Sequence, residues 1–234
     1  MEPTSGLRTI EAAVHGRYLV RVPRTERLCT ALFSFHGYGE DAAANLAVVE
    51  RIPGLDDWLI VAVQALHPFY TKSERIVASW MTSQDRELAI NDNIRYVRGV
   101  VDAVTREFSI NSEIAFAGFS QGVAMAYRAA AHIPAAGVIA LAGDVPPDIT
   151  KRPDRSALPH VLIGRGTADE WYTEEKMAAD VERLKTLATS VETTVFVGGH
   201  EWTDAFLETA GGFLARLGDA RWFNPTSRRQ PSGP

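Results

Sequence analysis

The run Gly118-Phe119-Ser120-Gln121-Gly122 restricts the fold of this chain more than any other stretch. It fits the pattern G-x-S-x-G, in which a serine sits on a sharp turn between a β-strand and a helix. Glycines two positions to either side leave out Cβ atoms that would crowd the neighbouring strand or the following helix. The flanks agree with this reading. Glu113–Ala117 is a short apolar strand bounded by Asn111-Ser112, and Val123–Ala131 is rich in helix formers without Gly or Pro. The competing reading is a strand-to-helix turn whose serine only caps the helix.

Around this turn, β and α signals alternate, which predicts an α/β fold with a mostly parallel sheet. Arg17–Val22, Leu28–Phe35 and Trp58–Val63 read as early strands. Ile94, Val97, Val101, Val104 and Phe108 step by three and four and predict a helix over Arg86–Phe108. Later strands are expected at Ala136–Ala142, His160–Gly164 and Val191–Val197. Met177, Val181, Leu184 and Leu187 mark a helix between the last two, and Trp202 to Leu217 another. One domain over 1–223 is expected, with Asn224–Pro234, polar and proline-rich, as a loose tail.

Composition narrows the class. A net charge of −5 without a Lys/Arg cluster before the tail argues against a nucleic-acid-binding face. The single cysteine, Cys29, cannot form an internal disulfide and fits a reducing compartment. No apolar run approaches the ~20 residues of a membrane span, and no leader is apparent, so the cytoplasm is the expected location. Monomer and homodimer both remain open.

A serine nucleophile needs a base, an orienting acid and an oxyanion hole. The strand at His160–Gly164 runs into Arg165-Gly166-Thr167-Ala168-Asp169, and the strand at Val191–Val197 runs into Gly198-Gly199-His200. Both loops fall at the carboxyl ends of strands, where open α/β sheets bind ligands. Asp169 and His200 are therefore the candidate acid and base. Asp144, whose loop continues into Pro146-Pro147, is the other acid to weigh, and reads more as a wall. His36, in Phe35-His36-Gly37-Tyr38-Gly39, reads as a prop for a glycine-rich loop. His15, His67, His132 and His160 read as structural or surface residues.

These residues resemble the phospholipase/carboxylesterase branch of the α/β-hydrolases, which includes acyl-protein thioesterases. The resemblance runs from roughly Leu32 to Leu217. It rests on His36-Gly37-Tyr38-Gly39-Glu40, Ser79-Trp80, Gly118-Phe119-Ser120-Gln121-Gly122, Gly166-Thr167-Ala168-Asp169 and Gly199-His200. It implies an α/β-hydrolase fold with helices on both faces of the central sheet; Ala142–His160 leaves no room for a large cap domain. It further implies Ser120 as nucleophile, Asp169 as orienting acid and His200 as general base. Tyr38 and Gln121 would give backbone N–H groups to the oxyanion.

The expected reaction is hydrolysis of small or short-to-medium acyl esters through an acyl-enzyme, with no metal and no organic cofactor. An acyl thioesterase or lysophospholipase would share these residues, and a non-catalytic binding protein on the same scaffold is the alternative of a different class. Gln64–Gln84 is long for a connection inside a compact domain and is expected to form a partial lid. Within it Leu66, Phe69, Tyr70, Trp80 and Met81 are the candidate pocket residues. Trp80-Met81-Thr82 departs from the Trp-Phe-Asp common in the family.

Overall fold

Buried, β-branched strands build the centre of the molecule. The computed structural model describes residues 6–24, 29–151 and 158–217. The tail expected at 224–234 lies outside them. Strands β2 (Cys29–Phe35), β3 (Leu59–Val63), β6 (Ile110–Phe119), β7 (Gly137–Leu141), β8 (Leu158–Gly166) and β9 (Ala188–Phe196) run parallel. Strand β1 (Tyr18–Arg21) adds antiparallel at the edge, giving the order β1-β3-β2-β6-β7-β8-β9. Strands β3 and β7 are buried along their whole length, as expected of parallel strands covered on both faces.

Register places helices on both sides of this sheet. Ala115 pairs with Gly137, so the two share a face, and Gly118, three residues on, points to the other. A Cβ on Gly137 would meet Phe213 and Leu217 of α6 (Asp204–Leu217), whereas one on Gly118 would meet Gly122 and Val123 of α3 (Gln121–His132). Helix α2 (Arg86–Glu107) packs beside α3, and α1 (Ala42–Val49) lies against β1, β2 and β3. Helix α5 (Glu174–Leu184) packs on β8 and β9. Between β7 and β8 stands only the single turn α4 (Pro147–Thr150) among the described residues. No helix among the described residues is long and apolar enough to cross a membrane.

The sheet order reverses between β2 and β6, because β3 lies on one side of β2 and β7, β8 and β9 extend to the other. The crevice at such a switch point, outside the carboxyl ends of the strands, is where open α/β sheets bind ligands. The loops after β2 and β6 frame it here.

The segment 64–84 differs from the expected lid. It folds as an antiparallel hairpin, β4 (His67–Tyr70) and β5 (Ile76–Ser79), with Phe69 opposite Val77. Its turn is closed by Thr71 N–H to Arg75 O and Glu74 N–H to Thr71 O. The hairpin is tied to the loop after β2 by Gly39 N–H to Ala78 O and Ala78 N–H to Glu40 O.

Helix α3 is fastened to α4 by a paired charge. The Arg128 side chain is fully buried and its Nε and Nη2 donate to the two Asp148 oxygens at 2.9 and 2.8 Å. Burial alone would raise the Asp148 carboxyl, but the Arg128 hydrogen bonds and charge outweigh it and hold it below the ordinary value. Asp148→Asn is expected to cost about 2 kcal/mol at neutral pH, less than a wholly buried pair because the Asp148 side chain is 36% exposed. A folded pKa below the unfolded one gives stability that is complete above about pH 4 to 5 and lost as pH falls through the folded value. Urea midpoints of wild type and Asp148→Asn should therefore differ at pH 7 and converge in acid. Equal midpoints at pH 7 would show that the pair adds nothing.

Candidate active site

Strand β6 ends and α3 begins at a single strained residue. Ser120 has φ 51° and ψ −119°, in left-handed space that a side chain rarely enters, and its hydroxyl makes no capping bond to the helix it precedes. Its N–H donates to Leu141 O of β7 at 2.9 Å. The helix-cap reading of this serine therefore fails. The flanking glycines are required by contact: a Cβ on Gly118 would lie 2.5 Å from Gly122 O, and one on Gly122 2.1 Å from Phe35 O.

Asp169 and His200 are brought together by two adjacent strand ends. Thr167 N–H donates to Phe196 O and Ala168 N–H to Gly198 O, both at 2.8 Å, zipping the loop after β8 to the loop after β9. Gly166 permits this approach, since a Cβ there would lie 2.2 Å from Gly199 O. His200 Nδ1 then stands 2.9 Å from Asp169 Oδ2 and 3.1 Å from Oδ1. Asp169 Oδ1 also accepts the N–H groups of Trp171 and Tyr172 at 2.9 Å. Its side chain has no exposure to solvent, against 24% for His200. With these acceptor oxygens facing Nδ1, a neutral imidazole carries its proton on Nδ1 and leaves Nε2 free to accept one. The ring is backed by Phe119, with centroids 5.0 Å apart. Asp144, the competing acid, instead lies 3.6 Å from Lys176 Nζ.

The loop after β2 covers the first turn of α3. Tyr38 and Gln121, the expected oxyanion donors, both have backbone N–H groups without an acceptor among the described residues. His36 holds the loop: its Nε2 accepts Ala65 N–H at 3.0 Å, which fixes the proton on Nδ1, 2.7 Å from Gly37 O. Burial lowers the pKa of this imidazole, so it stays neutral as a prop. Glu40, named in the sequence only as the end of this motif and given no role there, closes the turn by accepting Gly37 N–H at 2.7 Å. Burial pushes its carboxyl up, with the Gly37 hydrogen bond working against the shift. An acid directly after a glycine-rich loop was the available signal.

The Gln121 side chain was also missed. Its Oε1 accepts Trp80 N–H at 2.8 Å and Ser79 Oγ–H at 3.2 Å, and its Nε2 donates to Met81 O at 3.3 Å. The residue after the nucleophile thus anchors the strand leaving the hairpin.

Ser120, Gln121 and His200 share a cleft of about 720 Å³. Met81 lines it, together with Pro146, Pro147 and Trp171. The other expected pocket residues are elsewhere. Trp80 has 0% exposure, donates Nε1–H to His36 O at 2.9 Å and packs on Phe35, so it props the loop from beneath. Leu66, Phe69 and Tyr70 line a separate cavity of about 460 Å³ beside Asp41 and Gln64. Phe69 stacks on the Tyr38 ring, with centroids 5.4 Å apart.

Comparison with known proteins shows the family and the fold. A family model described as Phospholipase/Carboxylesterase matches residues 20–217. Among solved structures, esterase PE8 superposes with a TM-score of 0.68 at 20% identity, covering 87% of this chain and 100% of that one. Acyl-protein thioesterase 2 of Zea mays gives 0.67 at 18% identity, covering 87% and 99%. The carboxylesterase of Bacillus cereus gives 0.68 at 15% identity, covering 86% and 94%. No curated protein matches the sequence significantly.

Proposed function

Since the chain belongs to the phospholipase/carboxylesterase family of esterase-type α/β-hydrolases, we propose that it hydrolyses carboxylic esters through an acyl-enzyme on Ser120. The observation that carries this reading is the Asp169–His200 pair, at 2.9 Å, opening onto the cleft that holds the strained serine.

In this mechanism His200 Nε2 takes the Ser120 proton as Oγ attacks the ester carbonyl. Asp169 keeps the imidazole in the tautomer that can accept, then stabilises the imidazolium. Negative charge on the carbonyl oxygen is met by the unpaired N–H groups of Tyr38 and Gln121, already held by His36, Glu40 and Trp80; one such donor is typically worth ~10²–10³ in rate. His200 returns the proton to the alcohol, which leaves. Water, deprotonated by the same ring, then releases the acid. Among the described residues no helical insert caps the cleft, which suits small or short-to-medium acyl groups.

Fluorophosphonate labelling tests the nucleophile. One adduct is expected, on the peptide carrying Ser120, and an unlabelled protein would return it to the class of non-catalytic binders. A series of p-nitrophenyl esters from acetate to palmitate, run beside an acyl thioester and a lysophospholipid, tests the substrate class. Highest kcat/KM is expected on the shorter esters; an optimum at palmitate or on the thioester would replace the short-ester reading.

A further inference from the structure

Three cationic side chains and one carboxylate line the cleft, in a protein whose net charge is −5. Its charged lining consists of Arg86, Lys176 and Arg183 against Asp144. Two of these cations are already engaged. Arg183 Nη1 donates to the buried Asp180 at 2.7 Å, and Lys176 Nζ donates to Trp171 O at 2.7 Å with Asp144 at 3.6 Å. Arg86 differs. Among the described residues its guanidinium has no carboxylate within ion-pair distance, and the contact it makes is Nη1 to Met81 Sδ at 2.8 Å. A thioether is a weak acceptor, so most of the guanidinium's donors remain available.

Position adds to this. Arg86 opens α2 just after Met81, Thr82 and Ser83, Lys176 lies in the first turn of α5 just after Trp171 and Tyr172, and all of them line the cleft. The carboxylates behind the floor have their hydrogen bonds elsewhere, Asp148 from Arg128 and Asp180 from Arg183, Val145 N–H and Tyr172 O–H, although the Arg86 charge also acts on Asp148 from beyond ion-pair distance. An anion entering this cleft would meet Arg86 and Lys176, with Asp144 as the opposing carboxylate of the lining.

We propose that Arg86 and Lys176 form a subsite for an anionic group, carboxylate or phosphate, carried by the ester substrate. This rests on Ser120 being the nucleophile of the same cleft. Arg86 binds the anion through its planar fork, and Lys176 turns from Asp144 toward it as a point charge. Both cations are partly solvated, so the expected gain is about tenfold in kcat/KM and falls as salt is raised.

Three esters of similar length separate the possibilities: propyl butyrate, the propyl monoester of glutaric acid, and 2-(butyryloxy)ethyl phosphate. The second carries its charge on the acyl side and the third on the alcohol side. Wild type, Arg86→Gln and Lys176→Met are compared by pH-stat titration. At least one charged ester should exceed propyl butyrate by about tenfold in kcat/KM, identifying which end the subsite reads. Arg86→Gln should bring that ratio close to one through KM, and Lys176→Met should lower it by a smaller factor. A wild-type ratio of one or less, or a ratio unchanged in Arg86→Gln, overturns the proposal. Calorimetric binding of the same three esters to Ser120→Ala gives the test without turnover. Tighter binding of a charged ester supports the subsite even if hydrolysis fails, and equal binding of all three rejects it. Absence of fluorophosphonate labelling would count against the esterase reading alone.

Discussion

Ser120→Ala is expected to lower kcat/KM for p-nitrophenyl esters by about 10⁵-fold or more while the unfolding temperature stays where it is. Both halves come from the same geometry. The hydroxyl is the atom that would attack, and nothing in the fold depends on it, because it caps no helix and accepts no backbone N–H. Ser120→Gly extends the test. The backbone at φ 51°, ψ −119° costs on the order of 1–3 kcal/mol for a residue with a side chain. Glycine relieves that strain and loses roughly 0.5–1 kcal/mol of it to its greater freedom when unfolded. Ser120→Gly should thus be as inactive as Ser120→Ala and melt at the same temperature or slightly higher. A capping serine predicts the reverse, about 1 kcal/mol lost in Ser120→Ala with activity kept. Turnover within a hundredfold of wild type in either variant would remove Ser120 from the chemistry.

That elbow was legible in the sequence because its signals are local. A buried strand, two glycines and an alanine-rich helix stand within twenty residues of one another, and each restricts the backbone by its own chemistry. Asp169 and His200 were legible for a related reason: each follows a short apolar strand, so chain order alone puts both at one edge of the sheet. The hairpin had no such signal. Strands of four residues are too short to show a period, and Pro68 interrupts the first of them. What holds the hairpin is distant in sequence, Gly39 and Glu40 bonded to Ala78. Trp80 was misread through the same non-locality, since its burial depends on Gln121 and His36. Arg86 and Lys176 look like ordinary solvated helix residues until the fold brings both to the lining of one cleft.

Gly122→Ala should be strongly damaging, costing about 3 kcal/mol or more and lowering activity in the protein that still folds. The added Cβ would stand 2.1 Å from Phe35 O and 2.6 Å from His36 O. Those atoms cannot turn aside as a side chain could. Phe35 ends β2, which is paired on both sides by β3 and β6, and His36 is pinned by Ala65 N–H. Relief requires α3 to draw back from β2 or the loop after β2 to lift. Either movement separates Gln121 N–H from Tyr38 N–H, so the proposed oxyanion site would be lost with the packing. Gly39→Ala supplies the contrast, because Gly39 has φ 73° with nothing within 4 Å of its Cβ position. It should cost only the left-handed conformational penalty of about 1–2 kcal/mol. Urea unfolding of the two variants measures the difference, and kcat/KM corrected for folded fraction measures the displacement of the site. A Gly122→Ala protein within 1 kcal/mol of wild type and fully active would mean that β2 and α3 are not in the contact that frames this cleft.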